Sequence, residues 1–234
     1  SDYLYVALCI NEALANGDEL HFIVLSDNNK LYEGTKAAPS GGFMNGKYYY
    51  NTTPITLAQS DRIKPTFTGA SAEPNEYFTY TINDDPTNIT ISGVSKGYKF
   101  RLNKPATVTL DNVYAEYDND NFIYGNGGDL TVNLIGTNTL KCNYSSCIAA
   151  DRYKYNLKLT GNGTLTVSVY PYSSQSCGLD GMNYTTDLND NATTGECDVS
   201  SQLALDPAKT TVIRSARSGN YSAGWTWTYT VTQK

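Results

Sequence analysis

Two stretches of the chain concentrate tyrosines, the first of them beside ionic groups. They are Asp151-Arg152-Tyr153-Lys154-Tyr155 and Tyr170-Pro171-Tyr172. A tyrosine ring offers an apolar face with a polar tip. A carboxylate and a guanidinium beside it supply acceptors and a fork of donors. That combination suits a sugar ring. With Asp180, the carbohydrate-binding candidates are Asp151, Arg152, Tyr153, Tyr170, Tyr172 and Asp180. Asp151-Arg152 and Asp180 also admit a second chemistry, that of a polysaccharide lyase. There, acids hold a cation and a basic group removes a proton.

Other acids read differently. Glycoside hydrolysis needs two carboxylates across one bond. The pairs available are Asp84-Asp85, Asp118 with Asp120, and Asp187 with Asp190. All lie in Asn-rich turns, where Asp caps its own backbone. His21 is the only histidine, in the apolar run His21-Phe22-Ile23-Val24, and no GxSxG elbow exists. No catalytic residue is expected, and the chain reads as a non-enzyme.

Asp187, Asn189, Asn191, Thr193 and Asp198 occupy positions 1, 3, 5, 7 and 12 of a calcium-type loop. Ala192 stands where that loop wants glycine. The expectation is no resident cofactor, with calcium as the ion this loop would take. Of five cysteines, Cys9 reads as a small buried apolar residue. Cys142, Cys147, Cys177 and Cys197 could form local pairs 142–147 and 177–197 in an oxidising compartment. Three connectivities are open. No CxxC spacing occurs, so zinc is not expected.

These residues need a scaffold, and composition names its class. The 234 residues include 20 Tyr, 28 Thr, 23 Asn and 19 Gly. Thr and Tyr favour half-exposed pleated surfaces, and Asn and Gly favour tight turns. The fold class is therefore all-β. Net charge is −6 with no cluster of Lys and Arg, which argues against a nucleic-acid partner. No apolar run is long enough for a membrane helix.

Residues 1–66 form a first block, with strands at Tyr3–Cys9 and Lys47–Leu57 and a hairpin in which His21–Ser26 and Lys30–Glu33 flank the turn Asp27-Asn28-Asn29. Residues 59–75 read as a linker. Residues 67–234 form a second block that repeats. Leu110, Leu134 and Leu159 recur at steps of 24 and 25 residues, each followed by two further short apolar segments. Three short strands per cycle predict a coil of a short parallel β-helix or solenoid, with Asn and Gly at corners that need positive φ. An antiparallel sandwich is the competing reading. At the C-terminus Trp225, Trp227, Tyr229 and Val231 alternate with Thr226, Thr228, Thr230 and Thr232. Such a strand would cap the stack.

The first block, with Tyr3-Leu4-Tyr5-Val6-Ala7, Asp27-Asn28-Asn29-Lys30-Leu31-Tyr32 and Gly46-Lys47-Tyr48-Tyr49-Tyr50-Asn51, resembles the last part of a fimbrillin-like domain. Such domains occur in surface and pilus proteins of gut and oral anaerobes. The second block, with Asn88–Gly93, Val108–Val113, Leu130–Leu140 and Leu157–Leu165, is similar to β-helical repeat domains of carbohydrate-binding type fused to such proteins. The resemblance implies a fimbrillin-like β-sandwich portion ahead of the solenoid. It implies a location at the cell surface, in the outer membrane or outside the cell. It also implies adhesion to a glycan or host surface protein, and joining to other pilus subunits by β-strand addition. A polysaccharide-active lyase or glycosidase, and a structural pilus or spacer module, are the alternatives.

Overall fold

The computed structural model describes residues 2–4, 8–9, 19–26, 29–37, 43–45, 48–50, 55–57, 63–118, 120–143, 146–170, 177–183, 196–220 and 222–234. Among them every regular element is a strand, and no helix is long and apolar enough to cross a membrane. The chain divides into two compact units, Ser1–Lys64 and Pro65–Lys234.

The first unit contains β1 (Asp2–Leu4), β2 (Leu8–Cys9), β3 (Glu19–Ser26), β4 (Asn29–Ala37), β5 (Phe43–Asn45), β6 (Tyr48–Tyr50) and β7 (Ile55–Leu57). All pairings are antiparallel: β1 with β7, β2 and β5 with β6, and β3 with β4. The expected hairpin partners, β3 and β4, pair antiparallel up to Ser26 and Asn29, with a bulge between Val24 and Leu25. Within the expected strand Lys47–Leu57, the described parts β6 and β7 pair in different sheets.

The second unit holds β8 (Thr66–Thr68), β9 (Thr79–Ile82), β10 (Thr87–Lys96), β11 (Lys99–Leu102), β12 (Ala106–Asp118), β13 (Ile123–Gly125), β14 (Leu130–Asn143), β15 (Ser146–Ala150), β16 (Leu157–Val169) and β17 (Gly178–Asp180). After these come β18 (Cys197–Asp198), β19 (Thr210–Arg214), β20 (Ser218–Asn220) and β21 (Gly224–Gln233). The long strands β10, β12, β14 and β16 pair parallel, in sequence order. So do the short strands β9, β11, β13, β15 and β17. The chain thus alternates between two parallel sheets, an arrangement that excludes the antiparallel sandwich.

Two expectations change. Thr66–Thr68, inside the supposed linker, is a strand antiparallel to β10. The register is also uneven. Leu110 pairs with Leu134 as read, but Leu134 pairs with Gly161, and Leu159 pairs with Val132. The turn at Asp151–Lys154 and the extended residues after it lengthen that cycle before β16 begins.

Each long strand turns midway at a left-handed residue: Gly93 (φ 80°), Asn112 (φ 52°), Gly136 (φ 64°) and Gly161 (φ 96°). Beside these corners Asn138 is fully buried. Its Oδ1 accepts from the Val113 N–H at 2.9 Å, and its Nδ2 donates to the Ile135 and Thr164 carbonyls at 3.1 and 3.2 Å. One side chain therefore satisfies backbone groups on three successive strands, where the corner breaks the ladder.

Inward positions stack like on like. Val108, Val132 and Leu159 form one column, and Leu110 and Leu134 share another; all are fully buried. Near β8 the core is aromatic. Phe67 meets Tyr80 and Phe100 edge-on, and Phe100 stacks on Tyr80 at 5.1 Å. At the other end β21 lies antiparallel to β16 and buries Trp227, Tyr229 and Val231, while Thr230 and Thr232 face solvent.

Candidate functional site

Four of the sugar-binding candidates meet at one corner, where β15 ends and β17 lies alongside. Asp151 builds the turn itself. Its carbonyl accepts from the Lys154 and Tyr155 N–H groups at 2.9 and 2.8 Å, and its Oδ1 accepts from the Tyr153 N–H at 3.0 Å. Lys154 Nζ stands 3.4 Å from the other carboxylate oxygen. Arg152 reaches Asp180 at 3.9 Å and lies over the Tyr153 ring, which is 80% exposed. Burial raises the Asp180 pKa above the ordinary carboxylate value; the Arg152 charge opposes that rise and Asp151 adds to it. Asp180 is the register partner of buried Ala149, which in turn pairs with Tyr124, and Arg101 lies over the Tyr124 ring at 5.1 Å.

Tyr170 is elsewhere. It follows the far end of β16, with the whole strand between it and the Asp151 turn. Tyr172 lies outside the described residues, as do Asp187, Asn189, Asn191 and Thr193 of the calcium-type loop. Asp198 is described and exposed. Its carboxylate accepts from the Ser200 N–H at 2.9 Å, and that bond holds its pKa below the usual value. Among the described residues no cluster of metal-ligating side chains occurs.

Tyr170 instead belongs to a cavity of about 300 Å³, which crosses the ends of four successive strands. The register explains it. Lys96 pairs with Glu116, Glu116 with Lys141, and Lys141 with Ser168, so these four side chains form one row across β10, β12, β14 and β16. Glu116 is the hub. Lys96 Nζ lies 2.8 Å from one oxygen and Lys141 Nζ 3.5 Å from the other, and the Tyr114 hydroxyl donates a short hydrogen bond to it. Burial alone would raise its pKa, but the hydrogen bonds from Lys96 and Tyr114 and the charges of Lys96 and Lys141 outweigh that and lower it. Tyr117 and Asn143 line the cavity, and Tyr170, about half exposed, stands at its rim. The arrangement provides a stacking ring, an amide, a hydroxyl and a fixed ionic row. Its described carboxylate, Glu116, is held in the ionised form.

Of the acid pairs, Asp187 and Asp190 lie outside the described residues, as does the Asp118 side chain. Asp84 and Asp85 are exposed, and Lys104 sits 3.4 Å from Asp85. Asp120 is clamped by Lys99 at 2.6 Å and by Arg101. Burial pushes its pKa up, yet these donors bring it below the ordinary value.

The Lys96–Glu116–Lys141–Ser168 row was missed from sequence. Its members are spaced 20, 25 and 27 residues apart, which is no constant period, so only the strand register brings them into one row. No family model, no curated protein and no solved structure matches the chain.

Proposed function

We propose that this chain is a non-enzymatic surface or pilus-associated adhesin. In this reading residues 1–66 are a fimbrillin-like sandwich portion. The second block is a short right-handed parallel β-helix, closed by its C-terminal strand, that presents a glycan-binding groove. One observation carries it. The cavity beside Tyr170 joins an aromatic face to a row of hydrogen-bonding groups, and its one described carboxylate, Glu116, is already neutralised by two lysines. Such a site holds a polar ligand without turning it over. The exposed Tyr153 beside Arg152 and Asp180 offers a second, shallower platform.

The test is a glycan array on the purified chain and on Tyr170→Ala and Tyr153→Ala. A saturable hit weakened by about 1–3 kcal/mol in one variant identifies the platform used. Binding unchanged in both variants would count against the reading. The raised Asp180 pKa beside Arg152 supports one competing reading, a polysaccharide-active enzyme. New sugar ends released by the wild type and not by Asp180→Asn would establish that reading instead.

A further inference from the structure

The sequence leaves three ways to pair Cys142, Cys147, Cys177 and Cys197, and the geometry singles out one pair, Cys142 with Cys147. Cys142 ends the inward alternation of β14 and is 3% exposed, while Cys147 in β15 is fully buried. They lie on β14 and β15, consecutive strands of different sheets. Cys147 Sγ lies 3.7 Å from the Leu140 carbonyl, two residues before Cys142, and 3.5 Å from the Ser168 carbonyl. Ser168 precedes Val169, the register partner of Cys142. Burial chiefly raises the Cys147 thiol pKa, and the neighbouring Cys142 adds to that rise. These contacts place the Cys147 sulfur beside the end of β14 that carries Cys142 and beside the facing stretch of β16.

The other cysteines are engaged elsewhere. Cys177 has Arg214 Nη1 3.3 Å from its sulfur, and its carbonyl accepts from the Tyr229 hydroxyl at 2.7 Å. Cys197 sits on β18, at the edge of its sheet, opposite Arg214. Cys142 is among the residues lining the cavity, beside Asn143 and Ser168, whereas Cys147 is fully buried.

We propose that Cys142 and Cys147 are a disulfide-forming site, oxidised through the cavity by a disulfide-bearing oxidant. The Cys142 thiolate attacks the oxidant's disulfide, forming a mixed disulfide and expelling one thiolate. The Cys147 thiolate then attacks Cys142 Sγ and expels the second. Two S–H bonds are lost and one S–S bond forms; the oxidant takes the two electrons and, as two thiols, the two protons. The bridge ties together the corner that carries Asn143 at the cavity wall. It closes a loop of only six residues, so the expected gain is a melting temperature higher by about 4 °C.

The experiment treats the intact chain with an excess of oxidised glutathione. Remaining thiols are alkylated under denaturing conditions, and the digest is mapped without reduction. The expected product is a Cys142–Cys147 peptide two hydrogens lighter than its reduced form, with Cys177 alkylated. Cys142→Ser should then leave Cys147 alkylated rather than re-paired. Disulfides linking Cys177 to Cys142 or Cys147 would overturn the proposal. So would recovery of both Cys142 and Cys147 as alkylated thiols from a sample shown by circular dichroism to be folded.

Discussion

Two carboxylates show how the same scaffold drives an acid in opposite directions. Glu116 has its pKa lowered by Lys96, Tyr114 and Lys141 against the pull of burial. Its ion pairs therefore stabilise the fold at any pH above the unfolded value near 4.3, and that contribution is lost as pH falls through the lower folded pKa. Glu116→Ala should cost about 2 kcal/mol at pH 7, because it strips charged hydrogen bonds from a half-buried row. The deficit should shrink in melts run below pH 4. An equal loss at pH 3 and pH 7 would mean the residue acts by packing alone. Asp180 behaves oppositely. Its folded pKa is raised, mainly by burial, so its contribution is fully present below the unfolded value near 3.9 and is lost as pH rises through the folded pKa. Asp180→Asn should therefore stabilise the chain at pH 7 by about 0.5 kcal/mol and do nothing at pH 3. Parallel thermal melts at the two pH values check this, and a destabilised Asp180→Asn at pH 7 would show that the Arg152 contact dominates instead. Of the two, only Asp180 was legible in the sequence, because it stands near a visible Asp-Arg-Tyr cluster. Glu116 looks like any solvated acid until the register sets it between two lysines.

At the level of the element, the corners decide where a strand can bend. Gly93 and Gly161 both have positive φ, but their surroundings differ. A Cβ on Gly93 would meet nothing within 4 Å, whereas one on Gly161 would lie 2.4 Å from the Leu134 carbonyl oxygen. Gly93→Ala should cost only the left-handed backbone strain, about 1 kcal/mol. Gly161→Ala adds a clash with backbone that cannot move without disturbing the β14–β16 ladder, and about 3 kcal/mol or more is expected. Chemical denaturation of the two variants separates them; equal losses would show that the Leu134 peptide yields freely. The sequence announced the corners through Asn112, Gly136 and Gly161, since those residue types tolerate positive φ. It misjudged the cycle length, because residues 151–156 carry the same Asn, Asp and Tyr as the rest of the surface. Nothing in their composition says that they lengthen a turn. The short strand β8 was hidden for a related reason. Three residues with one half-buried phenylalanine leave too little alternation to see, and only pairing with β10 makes them a strand.

For the whole molecule, stability must be distributed unevenly along a stack whose parallel strands touch only their neighbours. Each inner strand is covered on both sides, so the ends carry the risk. At the C-terminal end β21 is hydrogen-bonded to both β16 and β19, and it brings Trp227, Tyr229 and Val231 into the core. Truncation after Ser222 would uncover β16 along seven register pairs and expose apolar side chains that it now buries. An exposed, apolar edge of that length is a template for intermolecular pairing. At the other end β8 and the Phe67–Tyr80–Phe100 aromatic group belong to the second unit itself. Truncation that removes residues 1–62 should therefore leave this closure in place. The expected outcome is asymmetric: residues 63–234 remain monomeric and melt cooperatively, whereas the chain ending at Ser222 aggregates. Size-exclusion chromatography and thermal melts of the two truncations test it. Aggregation of residues 63–234 would place the N-terminal closure in the first unit instead, and a soluble, cooperatively folded chain ending at Ser222 would show that β16 tolerates an open edge.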